Sequence, residues 1–125
     1  MVLSIILLAF TFNNLFVHTR RPYVQTMEVT AYCNCGKCCS YEPGKRKNVG
    51  QTASGTQTRI GTVAADPEVL PLGSVVYVPG YGWGRVEDKG GAIKGNKLDL
   101  WFTNHEAARK WGRKRIPVKI WKMAK

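Results

Sequence analysis

Beyond Pro22 the hydrophobic and polar positions alternate in short runs cut by glycine and proline, a period of two that predicts strands rather than helices. Over Thr26 to Cys33, Met27, Val29 and Ala31 fall on one face and Glu28, Thr30 and Tyr32 on the other. Ile60 to Ala65 and Ser74 to Val78 are rich in β-branched side chains and predict two further strands. Pro79-Gly80-Tyr81-Gly82-Trp83-Gly84 is expected to be a turn throughout, since its glycines and proline weaken a ladder. Arg85 to Asp88 returns from it as a strand. Lys97 to Phe102 sends Leu98, Leu100 and Phe102 to the core and turns Lys97, Asp99 and Trp101 the other way. Arg115 to Lys122 closes the chain as a strand, with Pro117 expected at an edge or a bulge.

The period changes once. Thr103-Asn104-His105-Glu106 has the spacing of a capping box, with Glu106 reaching back to the amide of Thr103. Ala107 to Trp111 continues that helix and Gly112 is placed to end it. About six strands with one short helix, and no internal repeat, predict a mainly β domain built as a small barrel.

Composition narrows the class of protein. A chain of 125 residues makes one domain, and a hydrophobic fraction of 44% excludes compositional disorder. The net charge of +11 calls for a polyanionic partner, and it is concentrated late: Arg109, Lys110, Arg113, Lys114, Arg115, Lys119, Lys122 and Lys125 all follow the last acidic residue, Glu106. No recognised nucleic-acid module accompanies that charge, so an anionic wall or membrane surface is expected rather than nucleic acid. Residues 2–17 are apolar apart from Ser4, Thr11, Asn13 and Asn14. The run is shorter than the ~20 residues of a membrane span but suits a signal-peptide core. No basic residue precedes it, no small-x-small cleavage site follows, and Arg20 and Arg21 favour retention inside. Residues 1–21 are accordingly read as a signal peptide or N-terminal membrane anchor, and 22–125 as the functional domain.

The candidate chemistry begins with the aspartates. The chain has three, Asp66, Asp88 and Asp99, and the last two bound one glycine-rich loop, Asp88-Lys89-Gly90-Gly91-Ala92-Ile93-Lys94-Gly95-Asn96-Lys97-Leu98-Asp99. Glycines permit a tight reversal, so the segments carrying Asp88 and Asp99 are expected to return alongside each other and share a cleft. A second carboxylate or an apolar wall raises a carboxyl pKa, as a proton donor requires, whereas contact with Lys89, Lys94 or Lys97 would lower it. A hairpin whose aspartates only bond backbone amides has the same spacing. Neither histidine has a triad context: His18 follows the apolar leader, and His105 is expected to face solvent in the helix cap. Cys33-x-Cys35-x-x-Cys38-Cys39 suits either a metal site or two disulfides, the choice following the redox compartment. Export favours disulfides that cross-pair Cys38 and Cys39 with Cys33 and Cys35, because a bond between adjacent cysteines is strained.

Five pieces occur in a telling order: Glu28-Val29-Thr30-Ala31-Tyr32, Thr52-Ala53-Ser54-Gly55, Val63-Ala64-Ala65-Asp66-Pro67, Leu70-Pro71-Leu72-Gly73, and the loop closing on Leu98-Asp99-Leu100. In this the chain resembles the three-aspartate domain of bacterial and phage cell-wall enzymes, related to the C-terminal part of membrane-bound lytic transglycosylase A and to stationary-phase survival muralytic proteins. The resemblance implies a six-stranded double-psi β-barrel. It also implies a murein lytic transglycosylase that cleaves the MurNAc-β-1,4-GlcNAc bond and leaves 1,6-anhydromuramyl ends. Asp99 would be acid and then base, Asp88 would orient it or the substrate, and Asp66 would brace the site. Thr52, Ser54, Gly90, Gly91 and Lys94 would meet the glycan, and Trp101 would stack on a sugar or pack on the barrel. No cofactor or catalytic metal is implied, the expected partner is peptidoglycan, the expected state a monomer, and the expected location secreted or bound to the cell envelope. Two other functions fit the same residues: a noncatalytic expansin-like wall-loosening module, and an inverting hydrolase pairing Asp99 with Asp66 or Asp88.

Overall fold

In the computed structural model, residues 21–35 and 50–124 are described. The apolar leader at 2–17 and Cys38 and Cys39 lie outside the described residues, as does much of the polar loop before Gly50. Six strands form in the described part: β1 (Tyr23–Tyr32), β2 (Thr62–Ala65), β3 (Val75–Val78), β4 (Gly82–Asp88), β5 (Lys97–Trp101) and β6 (Lys114–Trp121). One helix, α1 (His105–Trp111), separates β5 from β6. The strands close into a barrel in the order β1-β5-β2-β4-β3-β6. Two pairs are parallel, β1 with β5 and β2 with β4, and the other four are antiparallel.

Alternation decides which side chains fill the barrel. Met27 and Val29 of β1, Val63 and Ala65 of β2, Val76 and Val78 of β3, Val86 of β4, Leu98 and Leu100 of β5, and Val118 and Ile120 of β6 are all buried in one core. α1 closes one end. Its Trp111 packs with Tyr81 and Phe102, ring centroids 5.9–6.3 Å from its own, and donates from Nε1 to the carbonyl of Val29. Tyr81 ties the same end together: its hydroxyl accepts from the amide of Gly61 and donates to the carbonyl of Trp101, at 2.9 and 2.8 Å.

Three local expectations need correction. Asn104, not Thr103, caps α1: its Oδ1 accepts from the amide of Ala107 at 2.8 Å. Asn is at least as good a cap as Thr, and Glu106 instead takes Arg109 in a two-toothed ion pair. Gly112 ends the helix as expected, with φ of 68° and its amide on the carbonyl of Ala108. The glycine-rich segment after Pro79 is only half a turn, because Gly82, Trp83 and Gly84 pair with Val78, Tyr77 and Val76. Gly84 is there for space: a Cβ would stand 2.6 Å from Val63 Cγ2. Pro117 sits in no edge strand, since the barrel is closed. It lies opposite Thr26, below residues 119–121 that pair with β3, so no β3 ladder depends on its missing amide.

Candidate functional site

The loop between Asp88 and Asp99 does not bring their strands together, contrary to the hairpin expectation, because β2 runs between them. Ala64 is the common neighbour: it stands opposite Asp99 on the β5 side and opposite Asp88 on the β4 side. Two strand spacings put the aspartate backbones about 10 Å apart across one methyl group. Asp99 points away from the core because Leu98 and Leu100 point into it. Asp88 needs a further device. Val63 pairs with Val86 but Ala64 pairs with Asp88, so Glu87 is the extra residue of a β-bulge. With strict alternation Asp88 would follow Val86 into the barrel, and the bulge re-aims it to the face that carries Asp99.

Glu87 is buried, with Arg59 on one oxygen and the hydroxyls of Thr56 and Thr62 on the other, at 2.9 and 3.2 Å. Charge and hydrogen bonds thus hold the bulge in place.

Asp99 is half-buried in the wall of a groove of about 260 Å³, lined also by Glu28, Thr30, Tyr32, Ile93, Lys97 and Arg113. Burial pushes its carboxyl above the usual range, the Thr30 hydroxyl pulls it down, and the charge of Asp88 pushes it up again. Thr30 donates to Asp99 Oδ1 at 2.9 Å, a contact that follows from the parallel register placing Thr30 beside Asp99. Asp88 accepts from the amides of Ala53 and Lys89, at 3.1 and 2.9 Å, and from the hydroxyl of Tyr32 at 3.3 Å. It is held from three sides behind the groove.

Asp66 is buried and accepts from the amide of Glu68 and, through its other oxygen, from the amide of Gly95 at 3.0 Å. It thereby ties the turn after β2 to the end of the glycine loop. Within that loop Ala92 and Ile93 line the groove, whereas Gly90, Gly91 and Lys94 do not. At Gly90 an added Cβ would stand 3.0 Å from Ile93 Cγ1, a tight approach that a small shift of the Ile93 side chain would have to relieve. Thr52 and Ser54 join Thr56 in a hydroxyl cluster beside Glu87. Ser54 and Thr56 line a different hollow with Arg85 and Met123, and the segment meets Asp88 through the Ala53 amide. Trp101 does not line the groove, and its Nε1 donates to Asn34 Oδ1 at 2.9 Å.

Thr30 and Tyr32 carried no assigned role in the sequence reading. Their signal was weak but present, because both share the outer face of β1 with Glu28. His105 corrects a stated expectation: it is half-buried, with Nδ1 at 3.4 Å from Cys35 Sγ. As the first residue of α1 its side chain leans back over the helix start, toward the segment that follows β1.

A Bacillus subtilis (strain 168) protein, YabE, provisionally named a cell wall shaping protein, is 40% identical over 101 residues, covering 78% of this chain and 23% of the relative. The cell wall-binding protein YocH of the same organism is 52% identical over 58 residues, covering 46% of this chain and 20% of the relative. Among solved structures, MltA from Escherichia coli, described as a lytic transglycosylase, aligns with a TM-score of 0.49 and 24% identity over 67% of this chain and 30% of its own. The chain thus spans less than a quarter of the length of either Bacillus relative. The model of the 3D domain matches residues 61–124, from the start of β2 through β6 and including all three aspartates, and the chain belongs to that family.

Proposed function

We propose that the chain cleaves the glycan strands of peptidoglycan as a lytic transglycosylase, with Asp99 as the residue that handles the proton. The observation that carries this reading is Asp99 itself, a half-buried carboxyl open to a groove and held protonated beyond its ordinary range by burial and by Asp88. Asp99 gives its proton to the oxygen of the MurNAc-β-1,4-GlcNAc bond as the anomeric carbon to oxygen bond breaks. As carboxylate it then takes the proton of the muramyl C6 hydroxyl, whose oxygen attacks the anomeric carbon and closes the 1,6-anhydro ring. No water enters the balance, and one residue recovers the proton it donated.

Thr30 positions that carboxyl through its hydrogen bond, and the charge of Asp88 tunes it. An inverting hydrolase would need a second carboxylate acting on a water in the groove. Asp88, committed to three donors, and Asp66, committed to the amides of Glu68 and Gly95, are poorly disposed for that work. The names of the Bacillus relatives support a wall substrate and, with it, a secreted or envelope-bound location. The name of YocH also favours a second reading, a wall-binding module without cleavage.

One experiment separates the two. Purified full chain is incubated with peptidoglycan and the products are read by mass spectrometry for 1,6-anhydromuramyl ends. Cleavage predicts such ends, and their loss by about 10²–10⁴-fold in Asp99→Asn while wall binding persists. Binding without anhydro ends from the unsubstituted chain would leave only the binding module.

A further inference from the structure

We propose that Cys33, Cys35 and His105 form a zinc site that pins the end of β1 to the start of α1. Cys33 is buried directly after β1, Cys35 follows two residues on, and His105 opens α1. The two sulfurs stand 3.1 Å apart, Cys35 Sγ lies 3.4 Å from His105 Nδ1, and all three donor atoms fall within 4.8 Å of one another. In tetrahedral zinc, with bonds of about 2.3 Å to sulfur and 2.0–2.1 Å to nitrogen, donor atoms are separated by roughly 3.5–3.8 Å. To take an ion between them the two sulfurs need to part by roughly 0.7 Å, whereas Cys35 Sγ and His105 Nδ1 already stand within about 0.2 Å of the required separation. Two thiolates and an imidazole are soft and borderline donors, a set suited to zinc and poorly suited to calcium or magnesium. A donor beyond these three completes the tetrahedron.

The placement gives such an ion something to hold. Asn34, between the two cysteines, accepts from Trp101 Nε1 and exchanges hydrogen bonds with Thr58 at 2.9 and 3.1 Å. Tyr32, just before Cys33, is the residue whose hydroxyl meets Asp88. An ion bridging β1 and α1 therefore fixes the backbone on both sides of Asn34 and next to Tyr32, outside the Asp99 groove.

The test reads metal rather than activity. The full chain is purified under reducing conditions without chelator, its zinc content is measured, and cobalt is then substituted. The expected result is one ion per chain, with thiolate-to-cobalt charge-transfer bands and the visible absorption of tetrahedral cobalt. His105→Gln and Cys35→Ser are each expected to lower cobalt affinity at least about tenfold. Zinc should also shield Cys33 and Cys35 from alkylation until chelator is added. A fully reduced chain that takes up no stoichiometric ion overturns the site, and so does unchanged cobalt affinity in His105→Gln. Shielding that survives chelator but yields to reductant overturns it too, because it identifies disulfides instead.

Discussion

At the scale of single residues, Asp99 is a carboxyl that the fold makes reluctant to ionise. Burial is the largest cause, and Asp88 adds to it across Ala64. Thr30 works the other way, because its donated hydrogen bond favours the charged form. The folded chain therefore keeps the Asp99 proton to a higher pH than the unfolded chain, whose value lies near 3.8. Between those two values the native state binds more protons, so this residue's contribution to stability declines as pH rises through the window, and its cost is complete above it. Asp99→Asn removes the ionisation and keeps an oxygen for Thr30. It is expected to raise Tm at neutral pH, with the gain shrinking to nothing as pH falls below about 3.8. Thermal melts of both chains across that range check this, and a gain that does not vary with pH contradicts the assigned cause.

At the scale of elements, the site is made by register, and one glycine shows how tightly the ladders pack. Gly84 sits where β4 passes β2 and β3, and a Cβ would meet Val63 Cγ2 at 2.6 Å, with the carbonyl of Gly61 and Val76 Cγ2 each at 3.3 Å. Gly84→Ala is expected to cost about 1–3 kcal/mol in denaturant unfolding, the range for overpacking a close-packed interior. Gly91→Ala, with nothing within 4 Å of the added methyl, should change stability by no more than about 0.5 kcal/mol. Gly84 was read from sequence as a turn former, because a glycine needed for space and one needed for conformation look alike in a chain. Alternation, by contrast, was readable: it put Leu98 and Leu100 inside and Asp99 outside, and it grouped Met27 and Val29 on one face of the first strand, the face that fills the core. The parallel pairing of β1 with β5 was not, since nothing local to Thr30 announces that Asp99 will lie beside it. The bulge at Glu87 was hidden for a similar reason, because an unpaired residue is defined only against its partner strand. Non-local pairing likewise brought His105 to Cys35 across 70 residues.

At the scale of the whole molecule, the charge has a direction. Lys110 on α1 and Lys114, Arg115 and Lys119 on β6 are exposed, whereas the alternate β6 residues Val118 and Ile120 fill the core. One flank of the barrel is therefore strongly basic, and it adjoins the groove through Arg113, which pairs with Glu28 at 2.9 Å. A field of this kind raises the local concentration of an anionic polymer and speeds its capture without specifying a chemical bond. If the substrate is an anionic wall, capture and cleavage are separable. Changing Lys110, Arg115 and Lys119 together to Gln lowers the formal charge by three while leaving Asp99, Thr30 and Arg113 untouched. At low ionic strength this triple variant is expected to bind isolated walls several-fold more weakly than the unsubstituted chain. The difference should fade toward 1 M salt, where the Debye length falls to about 3 Å. Cosedimentation with walls over a salt series reads the slope directly, and parallel slopes for the two chains would show that this flank takes no part in holding the wall.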